Sequence, residues 1–231
     1  MQRPGLVLLA VLAGMIGLVL VTTRFHNADK PYIEKVQEEE TKQRMEELKK
    51  SQEKQTAPDR TNAYEKLSKG VIKAEIEVEH AGIFEVELFP EAAPKSVAHI
   101  VELAKKGFYN GIRFHRVVPD FVAQVGDPLS KNFKKSDFDG KSAEQIGSEM
   151  HLGEGGSGAK VSLEAKLPHL PNTLGMARSQ DPDSGDSQFF FNLKDNANLD
   201  SGYCAFGRVV KGQEYLTKIA HGDAIVRFTI K

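Results

Sequence analysis

The 231-residue chain has no tryptophan, a single cysteine, Cys204, and a formal net charge of only -1. One cysteine excludes an internal disulfide framework and a zinc cluster built from cysteines. A balanced charge, with no basic patch interleaved with aromatics, offers nothing to a phosphate backbone, so no nucleic-acid partner is expected. The seven histidines never fall at i, i+4 on one helix face, nor cluster with carboxylates at ligand spacing, and no metal is expected. Three familiar strings also fail. GEGGSG (153–158) satisfies G-x-G-x-x-G formally, but no strand precedes it and no helix follows, so it reads as a loop. Gly140-Lys141-Ser142 ends like a phosphate loop, with Lys135 where the first glycine belongs. DSGDSQF (183–189) has Phe189 in place of the closing glycine of a nucleophile elbow. No cofactor follows from any of them.

Charge is also missing from Pro4 to Thr23, and Leu6 to Val21 is apolar throughout apart from two glycines. About 20 such residues, at about 1.5 Å each, span a hydrocarbon layer of about 30 Å. A cleaved signal peptide is the alternative. No small-x-small site directly follows the run, so residues 1–24 are expected to be an uncleaved, single-pass transmembrane anchor. Arg3 precedes the span while Arg24, Lys30 and Lys35 follow it, which leaves orientation ambiguous by charge. Likeness to an export signal places the remainder outside the cytoplasm, in a periplasm or lumen. Residues 25–70 are then a charged helical linker, solvated to about Pro58 and flexible beyond. Glu38–Lys42, Glu40–Arg44 and Glu46–Lys50 carry the spacing of favourable helix pairs. Apolar positions there do not sustain heptads, so a coiled-coil dimer is disfavoured and the domain is expected to be monomeric.

From Val71 onward the pattern turns β. Ile72, Ala74, Ile76 and Val78 alternate with charges, and Phe84, Val86 and Leu88 do the same after a turn at Ala81-Gly82. Helical spacing over 94–108 puts Val97, Ile100, Val101 and Ala104 on one stripe. Six more strands are expected at 112–118, 121–126, 173–178, 187–193, 204–210 and 225–230, and a second short helix at 212–220. That inventory predicts a mainly β fold: an eight-stranded antiparallel closed barrel capped by two α-helices. The stretch between Pro128 and Pro171 reads as a long irregular excursion.

Three blocks now stand in order: FHRVVPDFVAQVGD (114–127), LGMARSQDPDSGDSQFFFNL (174–193) and LDSGYCAFGRVVKG (199–212). Together they resemble the cyclophilin family of peptidyl-prolyl isomerases, over residues 71–231. MARSQDP and the tyrosine of GYCAFG look most like the bacterial branch. The resemblance implies an enzyme that accelerates rotation about X-Pro bonds in proline-containing polypeptides, with no cofactor. Combined with the anchor, it implies assistance to the folding of exported or membrane proteins. The alternative is a non-catalytic chaperone or scaffold module that holds proline peptides.

Carried over by motif, the catalytic residues are Arg116 and Gln124. Substrate would bind at Phe121, Val122, Ala177, Arg178, Gln188, Phe190, Leu199 and Tyr203. Phe114 reads as core and His115 as structural, while Phe189 and Phe191 face away from Phe190. Asn198 stands where many family members carry tryptophan, which weakens the expectation of tight cyclosporin binding without touching isomerase activity. Arg178 replaces a frequent asparagine and adds positive charge beside the peptide groove.

Overall fold

The computed structural model describes Arg60 and residues 62–231. The membrane span expected over residues 1–24, and the part of the charged spacer before Arg60, lie outside the described residues. Among those described, no helix is long and apolar enough to cross a membrane.

Eight antiparallel strands form one sheet: β1 Ile72–Val78, β2 Gly82–Leu88, β3 Arg116–Val118, β4 Val122–Val125, β5 Thr173–Met176, β6 Phe189–Asn192, β7 Ala205–Lys211 and β8 Ile225–Ile230. Their spatial order is β3-β4-β6-β5-β7-β2-β1-β8. Alternation does the sorting. Ile76 pairs with Phe84 and Ala74 with Val86, so the apolar members of each pair meet on the concave side. There they join Phe114, Phe189, Phe191 and Phe206, all fully buried. Tyr109 closes this core, with its hydroxyl donating to Ser187 O at 3.0 Å.

The expected closed barrel is corrected in one respect: β3 and β8, the two edges, share no ladder. The seam is stitched just ahead of both strands, at the isolated bridge Arg113↔Ala224. Gly111 N donates to Ile225 O at 2.7 Å and Phe114 N to Asp223 O at 2.8 Å. Arg113 fills the gap that remains, donating from Nη1 to Gly222 O at 2.7 Å and from Nε to Phe133 O at 2.8 Å. The side chain thus supplies donors where a ladder would have used backbone.

Helix α1 (Pro94–Lys105) matches the expected one, with proline in its first turn and Lys105 in its last. It packs on β8 and buries Val97 and Ile100. The second short helix expected at 212–220 is present, but not as an α-helix. Residues Gln213–Lys218 form a 3-10 helix, because only six residues separate Gly212, at φ 87°, from the bend at Ile219 that leads to the seam. The second α-helix, α2 (Ala143–Met150), instead lies within the supposed irregular excursion. Ser142 caps it: its hydroxyl accepts from Gln145 N at 3.2 Å while Gln145 Oε1 accepts from Ser142 N at 2.9 Å.

The folded unit also begins before Val71. Tyr64 is buried against Phe89, with ring centroids 5.5 Å apart, and its hydroxyl donates to Pro168 O at 2.7 Å. Arg60 pairs with both Asp195 and Asp200. Tyr64, with Ala63 and Leu67 partly buried against the same cluster, is therefore packed on the domain rather than part of a flexible linker.

Candidate active site

The register places one row of side chains across four strands. Arg116 on β3 lies opposite Gln124 on β4, Gln124 opposite Phe190 on β6, and Phe190 opposite Gly175 on β5. Directly opposed residues of an antiparallel sheet share a face. This face is the convex one, since Ala123, Val125, Phe189 and Phe191 belong to the core on the other side. Gly175 is required by close approach: a Cβ there would collide with the Phe190 ring and stand 2.7 Å from His169.

Around the row opens a cleft of about 280 Å³, lined by Arg116, Phe121, Val122, Gln124, Ala177, Arg178, Phe190, Leu199 and Tyr203. Val122, Phe190 and Leu199 form a small apolar cluster of their own, with Phe121, Ala177 and Tyr203 against it. The Arg116 guanidinium stands over the Phe121 ring, 5.5 Å from its centroid. Among the described residues it has no hydrogen-bond or ion-pair partner, so its donors are available to whatever enters. These nine are nine of the ten residues singled out in the sequence.

The tenth, Gln188, is not in the lining. It is buried behind Gln124, where Gln124 Nε2 donates to Gln188 Oε1 at 2.9 Å and Gln188 Nε2 donates to Gly155 O at 2.7 Å. Its backbone O accepts from the N of cleft-lining Ala177 at 2.9 Å, but its side chain is turned back onto the 153–158 loop by the bond to Gly155 O. The chain of amides is directional. Gly155 O accepts only, so Gln188 must offer it the amino group and turn its oxygen to Gln124. Gln124 then donates in turn and keeps its own Oε1 for the cleft. Gly155 reaches this position because it lacks a Cβ, which would clash with the buried Asp127; Asp127 in turn accepts from Gly153 N at 2.6 Å and Gly155 N at 3.1 Å. The glycine-rich string 153–158 thus cradles a carboxylate of its own chain.

Two histidines support the site from inside. His115 is 3% exposed and neither ring nitrogen reaches a partner in hydrogen-bond geometry. Burial lowers its pKa to about 4; nearby Asp127, the Arg113 backbone and Gln188 offset that only in part. His169, which sequence reasoning missed, stacks on Phe190 with centroids 5.6 Å apart and planes 21° from parallel. Asn192 Nδ2 lies 3.1 Å from its Nδ1 and Tyr203 O lies 3.2 Å from its Nε2, which together fix the tautomer protonated at Nε2. Burial lowers its pKa as well, favouring the neutral ring. Its only sequence signal was a histidine between two prolines in a stretch read as loop. Among the described residues, no group of histidine, cysteine, aspartate and glutamate side chains converges to hold a metal ion.

An open apolar niche, an unpaired guanidinium at its edge and an oriented amide beside it form a site suited to gripping a small ring and donating to a neighbouring atom. The chain is similar to known proteins of one family. Residues 71–229 match the family model described as cyclophilin type peptidyl-prolyl cis-trans isomerase/CLD. A probable peptidyl-prolyl cis-trans isomerase of Brucella suis is 40% identical over 148 residues, covering 63% of this chain and 70% of that protein. Peptidyl-prolyl cis-trans isomerase B of Bacillus subtilis is 33% identical over 151 residues, covering 64% and 90%. Among solved structures, a cyclophilin type peptidyl-prolyl cis-trans isomerase from Cryptosporidium parvum shares the fold, with a TM-score of 0.56 at 23% identity over 70% of this chain and 98% of that one. The same Cryptosporidium protein, crystallised in the presence of the dipeptide Ala-Pro, gives a TM-score of 0.55 at 24% identity, covering 69% and 98%.

Proposed function

This chain belongs to the cyclophilin-type peptidyl-prolyl cis-trans isomerase family and is an isomerase of that type, and from that premise we propose that Arg116 catalyses rotation of a prolyl bond held in the cleft beside it. Amide resonance opposes rotation by about 18–20 kcal/mol. Before proline the two planar isomers are close in energy, yet they exchange in tens to hundreds of seconds. Reaching milliseconds takes roughly a 10⁵-fold gain, about 7 kcal/mol. In the rotated state the lone pair returns to the imide nitrogen, which becomes an acceptor. A guanidinium aimed there binds the rotated form more strongly than either planar form, and that difference is the catalysis. Arginine suits the task by staying charged with its donors in a rigid plane.

The proline ring fits the wall of Phe121, Val122, Phe190 and Leu199, which excludes water from the contact. Gln124 Oε1, left free by the amide chain behind it, accepts from the guanidinium or from a substrate N–H. Leu199, Tyr203, Ala177 and Arg178 border the adjoining backbone. The observation that carries this reading is the Arg116 guanidinium, without a partner among the described residues, on the same cleft as Phe121 and Phe190. The full chain with Arg116→Ala should keep its folded circular dichroism while its acceleration of an Ala-Pro reporter falls by about two orders of magnitude or more. Equal activity in variant and parent would overturn the assignment.

The apolar run Leu6–Val21 supports a tethered enzyme, with its domain outside the cytoplasm, acting on exported or membrane proteins. Digestion of the domain by protease added to intact cells with the outer layer opened is the expected result; full protection would place it on the other side.

A further inference from the structure

The cleft holds two guanidiniums, and rotation of the bond uses one. Arg178 follows β5 and is held hard. Its Nε donates to Gly202 O at 2.7 Å, and its Nη1 to Ser179 O at 2.8 Å and Gln180 O at 3.3 Å. The guanidinium lies over the Tyr203 ring, 4.6 Å from the centroid. All of these partners are carbonyls or a π-face. They fix the group without supplying a counter-charge, and Nη2 has no acceptor among the described residues.

An acidic run follows directly, yet it is turned elsewhere. Asp181 Oδ1 accepts from Asp183 N at 3.0 Å, Asp183 Oδ1 from Leu163 N at 2.9 Å, and Asp186 from Ser157 N at 2.9 Å and Gly158 N at 3.0 Å. No described carboxylate lies within ion-pair distance of Arg178, and the cleft lining contains neither aspartate nor glutamate. A half-buried, immobilised cation on a peptide groove that a second cation also lines presents a positive field to the substrate.

We propose that Arg178 is a specificity-determining residue, selecting prolyl peptides that carry a carboxylate side chain within two residues of the rotating bond. The proposal rests on the reading of this cleft as the prolyl-peptide site. Reach sets the spacing. Arg116 and Arg178 leave the sheet three strand-spacings apart, roughly 14 Å, and an extended peptide advances about 3.3 Å per residue. The apolar niche of Val122, Phe190 and Leu199 belongs to the same lining as both arginines, so a proline held midway has roughly half that span, about two residues of extended peptide, between it and Arg178. Guanidinium is the cation that grips a carboxylate in a plane, and pinning by carbonyls removes most of the entropy cost of the contact.

The test is a protease-free exchange measurement by NMR on the full chain, with short Ala-Pro peptides in which one flanking position is glutamate, glutamine or lysine. At low salt, glutamate is expected to exceed glutamine in kcat/KM by about three- to fivefold at one flanking position. That ratio should shrink at high salt as the charges are screened. It should fall to about one in Arg178→Gln, survive in Arg178→Lys, and reverse in favour of lysine in Arg178→Glu. A residue that merely props the 199–203 loop would change all peptides alike and leave the ratio untouched, and that outcome overturns the proposal. So does a flat ratio in the parent. Failure of the parent to turn over even the glutamine peptide would instead sink the underlying reading of the cleft.

Discussion

Gln124 on β4 and Gln188, just ahead of β6, meet at 2.9 Å, and the direction of that hydrogen bond is dictated by a third group, the carbonyl of Gly155, 2.7 Å from Gln188 Nε2. The orientation of an amide on the cleft is thereby set from a loop that never enters it. Replacing Gln188 by leucine should free the Gln124 amide to rotate. We expect Gln188→Leu to keep the fold and lower kcat by roughly tenfold, with KM changing less, since misplacement of a positioning group costs mainly the rotated state. Steady-state exchange kinetics check this. A larger change in KM than in kcat would mean that Gln188 touches substrate directly.

Acid should destabilise the domain through His115. Its unfolded pKa is 6.5 and its folded value about 4, because the buried ring resists charging. Above pH 6.5 both states are neutral there and the site is indifferent to pH. Between 6.5 and about 4 the unfolded chain binds a proton that the folded one does not, so stability is lost as pH falls through that window. The full shift corresponds to about 3 kcal/mol. His169 and His221 are lowered by burial as well and add in the same direction. Urea denaturation from pH 7.5 to 4.5 should show the decline, and His115→Gln should flatten part of it. An unchanged slope in that variant would remove His115 from the account.

The segment before Val71 should matter to stability and to the cleft. Tyr64 fills a pocket with Phe89, Ala92, Leu167 and Ala205. Its loss in Tyr64→Ala should cost about 3 kcal/mol or more. Arg60 is a different case. Its ion pairs with Asp195 and Asp200 are half-exposed, and Arg60→Ala should cost about 1 kcal/mol or less. Asp200 also accepts from His169 N at 2.8 Å and follows Leu199 in the chain, so the same change should loosen the wall of the niche. A modest rise in KM with kcat held is the expected signature; no kinetic change would confine Arg60 to anchoring.

These elements also show where the sequence could be read and where it could not. β1 and β2 were legible because they alternate, and β5 and β6, buried at every position, because they are short apolar runs; Phe84 is buried where alternation puts it. Helix α2 was missed although its capping box, Ser142 with Gln145, is written in the sequence; only Ile146 is fully buried in it, so no stripe drew attention. Tyr64 was hidden among charged neighbours whose pattern is that of a solvated face. The gathering of Arg116, Phe190 and Tyr203 onto one cleft was expected from resemblance rather than periodicity, since alternation says which face a residue takes and not which strands become neighbours. For the same reason Gln188 was expected in the lining: its neighbour Gly155 lies 33 residues away in sequence.

The most exacting test of the cleft is Gly175. Its φ is unremarkable, so an alanine there meets no backbone penalty and the whole effect is steric. The added methyl would overlap the Phe190 ring and crowd His169, which stacks on that ring. Phe190 must then tilt into the cleft or the strands must part. Overpacking of this kind costs about 1–3 kcal/mol, and either response narrows the niche, so KM for an Ala-Pro peptide should rise together with the loss of stability. Phe190→Leu separates the two effects, because it removes the ring atoms that the methyl strikes. Gly175→Ala combined with Phe190→Leu should recover stability, by urea unfolding, relative to the sum of the single changes. It should not recover peptide affinity, because the leucine leaves the proline wall incomplete. If the double variant is as unstable as that sum, the two residues do not conflict, and Gly175 is there for some reason other than making room for the ring.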